Sequence, residues 1–138
     1  MLNKANVLVI GDIILDKYIH GSVDRVSPEA PVPVLRPQVE EVRLGGAANV
    51  ASNVVSLGAK VFLQGVLGKD EYARELKNLM KEKKIKGSYV ASKLPSISKL
   101  RLLASQQQLL RIDSEEEFSE EDWTHAKLNF KKYVKSNK

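Results

Sequence analysis

Fourteen residues dominated by small side chains, GGAANVASNVVSLG (45–58), separate two short apolar runs, NVLVIGD (6–12) and KVFLQGV (60–66). This arrangement limits the fold more than any other feature. Short apolar runs ended by glycine or a polar residue read as parallel strands buried on both faces. The stretch between them reads as a helix, with Val50, Val54, Val55 and Leu57 on one face and Gly58 as its C-terminal stop. Residues 70–84 continue the alternation. Tyr72, Ala73, Leu76, Leu79 and Met80 recur at helical spacing, Asp70 and Glu71 open the segment, and lysines close it. Ser88–Ala91 reads as a third strand. Strand, helix and strand at these spacings predict a right-handed βαβ unit, hence an α/β fold on a parallel sheet.

Two segments depart from that alternation. Ser27–Pro37 holds four of the five prolines. Proline lacks a backbone donor, so this segment is an edge, a turn or an extended excursion. Tyr18–Arg25 and Val39–Leu44 flank it with mixed, half-buried patterning, which predicts a small accessory β-sheet over residues 17–44. Ile97–Leu103 and Gln107–Asp113 then form a predicted hairpin around Ala104–Gln106. Its alternation puts Leu100, Leu102, Leu110 and Ile112 on one side, and Lys99, Arg101, Arg111 and Asp113 on the other. Ser119 and Asp122 form a capping box, with Phe118 and Trp123 as its hydrophobic staple. The helix they open carries Trp123, Ala126, Phe130 and Val134 as its expected buried stripe. Three core strands would leave the sheet with uncovered edges, so the chain reads as the first part of a domain.

Composition removes several function classes. There is no cysteine, which excludes disulfides, thiolate metal sites and cysteine nucleophiles. The longest apolar runs, Val7–Ile10 and Ile13–Leu15, are far too short to span a bilayer, and Met1–Asn6 has no signal-peptide character. A cytoplasmic protein without a membrane partner is expected. The net charge of +5 comes largely from lysines at 81–86 and 127–138, near helix ends. No aromatic residues interleave with arginines, so a solvated face is favoured over a nucleic-acid surface. His20 and His125 stand 105 positions apart without ligand spacing, so neither is expected to serve a metal or a catalytic triad.

Three clusters have the residue types that chemistry needs. Gly45 and Gly46 precede a helix, where free N–H groups and missing side chains let a ligand approach, and Asn49 in the first turn can donate and accept. The same residues also suit a small-residue helix packed tightly on a sheet. Neither GxxxxGK[ST] nor GxGxxG occurs. Asp12 and Asp16 follow the first strand, at the end where open α/β sheets bind ligands, and carboxylates there accept hydrogen bonds from polyol hydroxyls. Either could instead cap a turn. Lys99, Arg101 and Arg111 share one face of the hairpin and form a candidate phosphate site, or a solvated sheet face with Asp113 as partner.

Together these segments resemble the ribokinase-like (PfkB) carbohydrate kinases. More narrowly, they resemble the heptose 7-phosphate kinase module of bifunctional ADP-heptose synthesis proteins. The carrying residues are VLVIGDIILDKYIHG (7–21), RVSPEAPVPV (25–34), RLGGAANVASNVVSLGA (43–59), GVLGKDEYAREL (65–76) and SKLRLLASQQQLLRID (98–113). The resemblance implies an incomplete Rossmann-like, ribokinase-like sheet with a β-sheet lid formed by about 17–44 and 97–113. The whole of 1–138 would be the N-terminal part of one kinase domain. It implies Asp12, Asp16 and Asn49 on the sugar hydroxyls, Gly45 and Gly46 as the lid hinge, and Lys99, Arg101 and Arg111 on the existing phosphate of a sugar phosphate. It also implies a homodimer through the lid.

The reaction implied is ATP-dependent phosphorylation of a heptose 7-phosphate at its anomeric hydroxyl, toward ADP-heptose and lipopolysaccharide core. ATP and Mg²⁺ are therefore the implied cofactors. Kinases of this class place ATP, the anion hole and the catalytic base in a later segment resembling DTxGAGD, and none occurs in this sequence. No catalytic or metal-binding residue is therefore expected here. The chain reads as a truncated kinase, inactive alone. The alternatives are an assembly module pairing with a separate chain that carries the C-terminal half, and a vestigial lid-mediated structural dimer.

Overall fold

The computed structural model describes residues 5–136. Residues 1–4 and Lys138, used above in the N-terminal and lysine readings, lie outside the described residues. In chain order the elements are β1 (Asn6–Ile10), β2 (Ile13–Val26), β3 (Pro33–Gly45), α1 (Gly46–Ser56), β4 (Lys60–Leu67), α2 (Glu71–Glu82), β5 (Lys86–Ala91), β6 (Ile97–Ala104), β7 (Gln107–Ser114) and α3 (Glu120–Ser136).

The strands form two sheets. β1, β4 and β5 make a parallel sheet in the order β1-β4-β5. Strand alternation sends Val61, Leu63 and Leu67 to one face, where they pack with Ala48 and Ala51 of α1 and Ala73, Leu76 and Met80 of α2. On the opposite face Val66 packs with Phe118, Ala126 and Ile97 beneath the start of α3. The result is a three-layer α/β body, as the strand–helix–strand pattern predicts.

The second sheet has the order β3-β2-β6-β7. Its hairpins are antiparallel, but β2 and β6 run parallel, with Asp16 opposite Lys99 and Tyr18 opposite Arg101. The chain between those two strands passes through most of the body. The lower end of this sheet is rooted in that body, since Ile13, Leu15 and Leu44 are buried in the α1/α2 core. The accessory strands are longer than their patterning suggests, with 14 residues in β2 and 13 in β3. Pro33 and Pro37 lie within β3, an outer strand, and a bulge at His20/Gly21 sits opposite Pro37. An outer strand is where a missing N–H does least harm.

Two packing expectations are corrected. In α1 the buried residues are Ala48 and Ala51, while Val50 is 51% and Leu57 60% exposed. Val54 and Val55 of the expected face do pack against the core, but the closest approach to the sheet is made by the alanines, whose small side chains let the helix lie near it. In α3, Val134 is exposed, and Tyr133 instead stacks on Phe62 with ring centroids 3.8 Å apart. On the apolar side of the hairpin, Leu100 and Leu102 are half-buried, while Leu110 is 53% and Ile112 46% exposed.

Two polar networks tie the helices to the sheets. The Asp70 carboxylate caps α2 by accepting from the Ala73 N–H at 2.8 Å. It also accepts from the Ser96 N–H at 2.6 Å and the Ser96 hydroxyl at 2.8 Å, just before β6. Burial pushes the Asp70 carboxyl up, but the Ser96 and Ala73 hydrogen bonds outweigh it and hold it below the usual aspartate value. The predicted capping box of α3 is present, with the Asp122 N–H donating to the Ser119 hydroxyl. Asp122 also accepts from buried Ser92 at 2.8 Å, and this bond is the main reason its pKa is lowered.

Candidate functional site

The candidate residues gather where the second sheet leaves the body. Gly45 ends β3 and Gly46 begins α1. Gly46 has φ +54, and a Cβ there would stand 2.4 Å from the Asp12 carbonyl oxygen, so both conformation and space demand glycine. The Ala47 N–H donates to that same carbonyl at 2.8 Å, fastening the start of α1 to the β1–β2 turn.

Gly45 is required for a different reason. A Cβ on it would lie 2.4 Å from Asp16 Oδ2. The Asp16 carboxylate therefore rests on the bare backbone at the β3–α1 junction. Asp16 and Asn49, the latter exposed on the first turn of α1, line one cavity of about 330 Å³ together with Tyr18, Arg43, Ser52 and Lys83.

Register then assembles one face of the second sheet. Arg43, Asp16, Lys99 and Asp113 lie in one row across β3, β2, β6 and β7. Glu41, Tyr18, Arg101 and Arg111 form the next. Arg101 Nη1 donates to Asp16 Oδ1 at 2.6 Å, and each side chain is only 19% exposed. The hydrogen bond that Arg101 donates to Asp16 raises the Arg101 pKa against the opposing effect of burial. The guanidinium carbons of Arg43 and Arg101 lie 4.7 Å and 5.0 Å from the Tyr18 ring centre.

The remaining cations are also engaged. Lys99 reaches Glu115 at 2.8 Å and Asp113 at 3.2 Å, and the Glu115 bond is the first cause of its raised pKa. Arg111 donates to Asp113 at 2.8 Å. Arg43 makes two hydrogen bonds to Glu41, at 2.6 Å and 2.8 Å. The hairpin face is thus a lattice of ion pairs rather than three free cations.

The structure separates Asp12 from this group. Asp12 is exposed and lines a second cavity of about 600 Å³ with Ile97, Glu115, Glu116, Glu117, Phe118 and Trp123. Sequence patterning missed Tyr18 and Arg43 at the first cavity. The signal was present, because Asp16 and Tyr18, like Glu41 and Arg43, are two apart on their strands. It also missed Gln64, which is fully buried on β4 and donates to the Ala126 carbonyl.

No group of three or more His, Cys, Asp or Glu side chains is gathered to hold a metal among the described residues. No helix among them is long and apolar enough to cross a membrane. The chain matches the profile of the pfkB family carbohydrate kinases over residues 4–138. It is 51% identical over 120 residues to the Bifunctional protein HldE of Haemophilus influenzae, covering 86% of this chain but 25% of that relative. It is likewise 51% identical over 114 residues to the D-beta-D-heptose 7-phosphate kinase of Bordetella bronchiseptica, covering 82% of this chain and 36% of that protein.

Among solved structures, the phosphofructokinase-2 from Escherichia coli in complex with substrates and products superposes with a TM-score of 0.69 at 18% identity, over 90% of this chain and 39% of that one. A carbohydrate kinase from Agrobacterium tumefaciens does so with a TM-score of 0.64 at 17% identity, over 79% of this chain and 35% of that one. These two likenesses speak to the fold, which is ribokinase-like. The near-complete profile match and the half-identical relatives establish that this chain belongs to the pfkB family of carbohydrate kinases.

Proposed function

We propose that this chain is the sugar-phosphate-binding part of a heptose 7-phosphate kinase. Within that reading Asp16 and Asn49 hold sugar hydroxyls, and Asp12 reaches the sugar from the adjoining cavity. Lys99, Arg101 and Arg111 hold the phosphate that the sugar already carries. Gly45 and Gly46 are the pivot of the lid formed by β2, β3, β6 and β7. The observation that carries the reading is the placement of the Asp16 carboxylate over Gly45, beside Asn49 and within one sheet face of the hairpin cations.

The residues present do not fit ATP and Mg²⁺. No carboxylate cluster able to hold a metal is formed among the described residues, and no Gly-rich phosphate loop occurs in the sequence. What this chain supplies is binding, orientation and the exclusion of water from the sugar, the positioning share of a phosphoryl transfer. A second segment carrying the nucleotide site completes the reaction, which phosphorylates the anomeric hydroxyl and feeds ADP-heptose formation.

The parallel sheet offers a place for that segment. Ile10 on β1 is 45% exposed, and Leu128 of α3 is 48% exposed. β1 is an outer strand, while α3 packs over β4 and β5. A further strand beside β1, with its helix beside α3, would cover both. The exposed Leu110 and Ile112 favour a homodimer joined through the lid.

Calorimetry with heptose 7-phosphate, alongside ADP release with ATP and Mg²⁺, tests the reading. Binding is expected, weakened at least about tenfold by Asp16→Ala (about 1.4 kcal/mol), with ADP release at background. ADP release abolished by Asp16→Ala would show that the chain assembles a complete site by itself. No binding of the sugar phosphate would overturn the reading.

A further inference from the structure

We infer that Asp16 and Arg101 form a charge latch through which the site accepts a phosphorylated sugar and rejects the same sugar without its phosphate. The inference rests on the sugar-phosphate reading above and goes further, naming a pair of residues that sets specificity. It starts from a contrast among the four cations of the charged face. Arg43, Lys99 and Arg111 pair with Glu41, Asp113 and Glu115, none of which is assigned to the sugar. Arg101 alone pairs with the carboxylate that the reading assigns to a hydroxyl.

In the structure Asp16 is therefore engaged by Arg101. A neutral hydroxyl is a weaker donor than a guanidinium, since charge-assisted hydrogen bonds are about twice as strong as neutral ones. A polyol that drew Asp16 away would also strand Arg101. Both side chains are four-fifths shielded from water, at 19% exposure each, so an unpaired charge at either position is costly. A sugar without phosphate must meet that cost with hydroxyl contacts alone.

A sugar phosphate has a second anchor. Its phosphate oxygens give Arg101 a new anionic partner, and Asp16 is released to accept the hydroxyls. Arg101 thus keeps an anionic partner, and Asp16 keeps hydrogen-bond donors, throughout the exchange. Arg101 has a support that does not depend on Asp16, because its guanidinium also lies over the Tyr18 ring, 5.0 Å from its centre. Tyr18 is its direct neighbour across the β2–β6 register. The arginine can thus change anions without losing its place.

The latch makes phosphate and polyol cooperative. Inorganic phosphate that occupies Arg101 should free Asp16 and so tighten the binding of unphosphorylated heptose, and the coupling must be reciprocal. The test is calorimetry on the 138-residue chain with heptose 7-phosphate, with heptose, and with heptose in saturating inorganic phosphate. The same titrations are repeated on Arg101→Gln, with circular dichroism to check folding. On the wild-type protein, heptose 7-phosphate should bind at least about tenfold tighter than heptose, and inorganic phosphate should improve heptose binding severalfold.

On Arg101→Gln, heptose should gain affinity, heptose 7-phosphate should lose it, and the effect of inorganic phosphate should vanish. A merely structural role for Arg101 would not produce a gain of binding. Heptose binding the wild-type protein as tightly as its 7-phosphate overturns the latch. So does an unchanged heptose affinity on Arg101→Gln while heptose 7-phosphate still binds the wild-type protein, and in both cases the sugar-site reading stands. If neither ligand binds either protein, the sugar-site reading falls and the latch with it. If Arg101→Gln does not fold, the wild-type coupling between inorganic phosphate and heptose decides alone.

Discussion

The Asp16 carboxylate lies directly over the α-carbon of Gly45, where a Cβ would come within 2.4 Å of its Oδ2. A residue on β2 thus fixes what β3 can carry at its last position. Gly45→Ala pushes the carboxylate aside without replacing any charged residue. The expected outcome is a loss of heptose 7-phosphate affinity of about tenfold, roughly 1.4 kcal/mol, with the folded circular dichroism spectrum kept. Gly46→Ala should behave differently. Its φ of +54 and the nearby Asp12 carbonyl make any side chain strained, so a stability loss of about 1–3 kcal/mol in urea denaturation is expected.

Asp70 joins α2 to the segment that leads into β6. Removing its three hydrogen bonds by Asp70→Ala should cost about 1–3 kcal/mol in denaturant unfolding. Its folded pKa lies below its unfolded one, so its contribution is present above the unfolded value and is lost as pH falls through the folded value. The stability gap between wild type and Asp70→Asn should therefore be full at pH 7 and shrink below about pH 4.

Two helices end on the same backbone closure but with different residues. After α1, Gly58 has φ +88, and after α2, Lys84 has φ +58. The Ile85 N–H returns to the Met80 carbonyl, as the Ala59 N–H returns to that of Val54. Lys84 adopts a left-handed conformation that costs a non-glycine residue about 1 kcal/mol. Lys84→Gly should raise the denaturation midpoint by an amount equivalent to about 0.5–1 kcal/mol, partly offset by greater freedom in the unfolded chain.

Leu110 and Ile112 present apolar side chains to solvent on β7, an outer strand. If the lid joins two copies, sedimentation should show a dimer at micromolar concentration. The double substitution Leu110→Glu and Ile112→Glu should return it to a monomer with unchanged secondary structure. A wild-type protein that sediments as a monomer would count against the lid dimer.

Much of the body was legible in the sequence because its signals are local. Apolar runs bounded by glycine, a helix with acidic residues first and lysines last, and a Ser119–Asp122 box each depend on residues within a few positions of one another. The boundaries of β4, β6 and α2 follow closely from such signals, while β5 begins at Lys86, two residues before the expected Ser88. The same locality explains the errors at α1 and α3. Helical spacing locates a face but does not say which of two adjoining apolar faces meets the sheet, and Ala48, Ala51 and Tyr133 were chosen by closeness of approach.

The site required the tertiary structure. By itself, the sequence determined that this chain makes a parallel α/β body, that a proline-rich segment lies in an accessory sheet region, and that Lys99, Arg101, Arg111 and Asp113 share one face of a hairpin. It could not determine that β2 and β6 lie side by side, because their pairing spans 83 positions from Ile14 to Ile97. Loop closure over that distance is settled by the core between them, not by any local preference. Only that pairing brings Arg101 to Asp16, and only the β2–β3 register sets Asp16 over Gly45. Hydrophobic periodicity fixes the face on which a charge sits, and the packed fold decides which charge it meets.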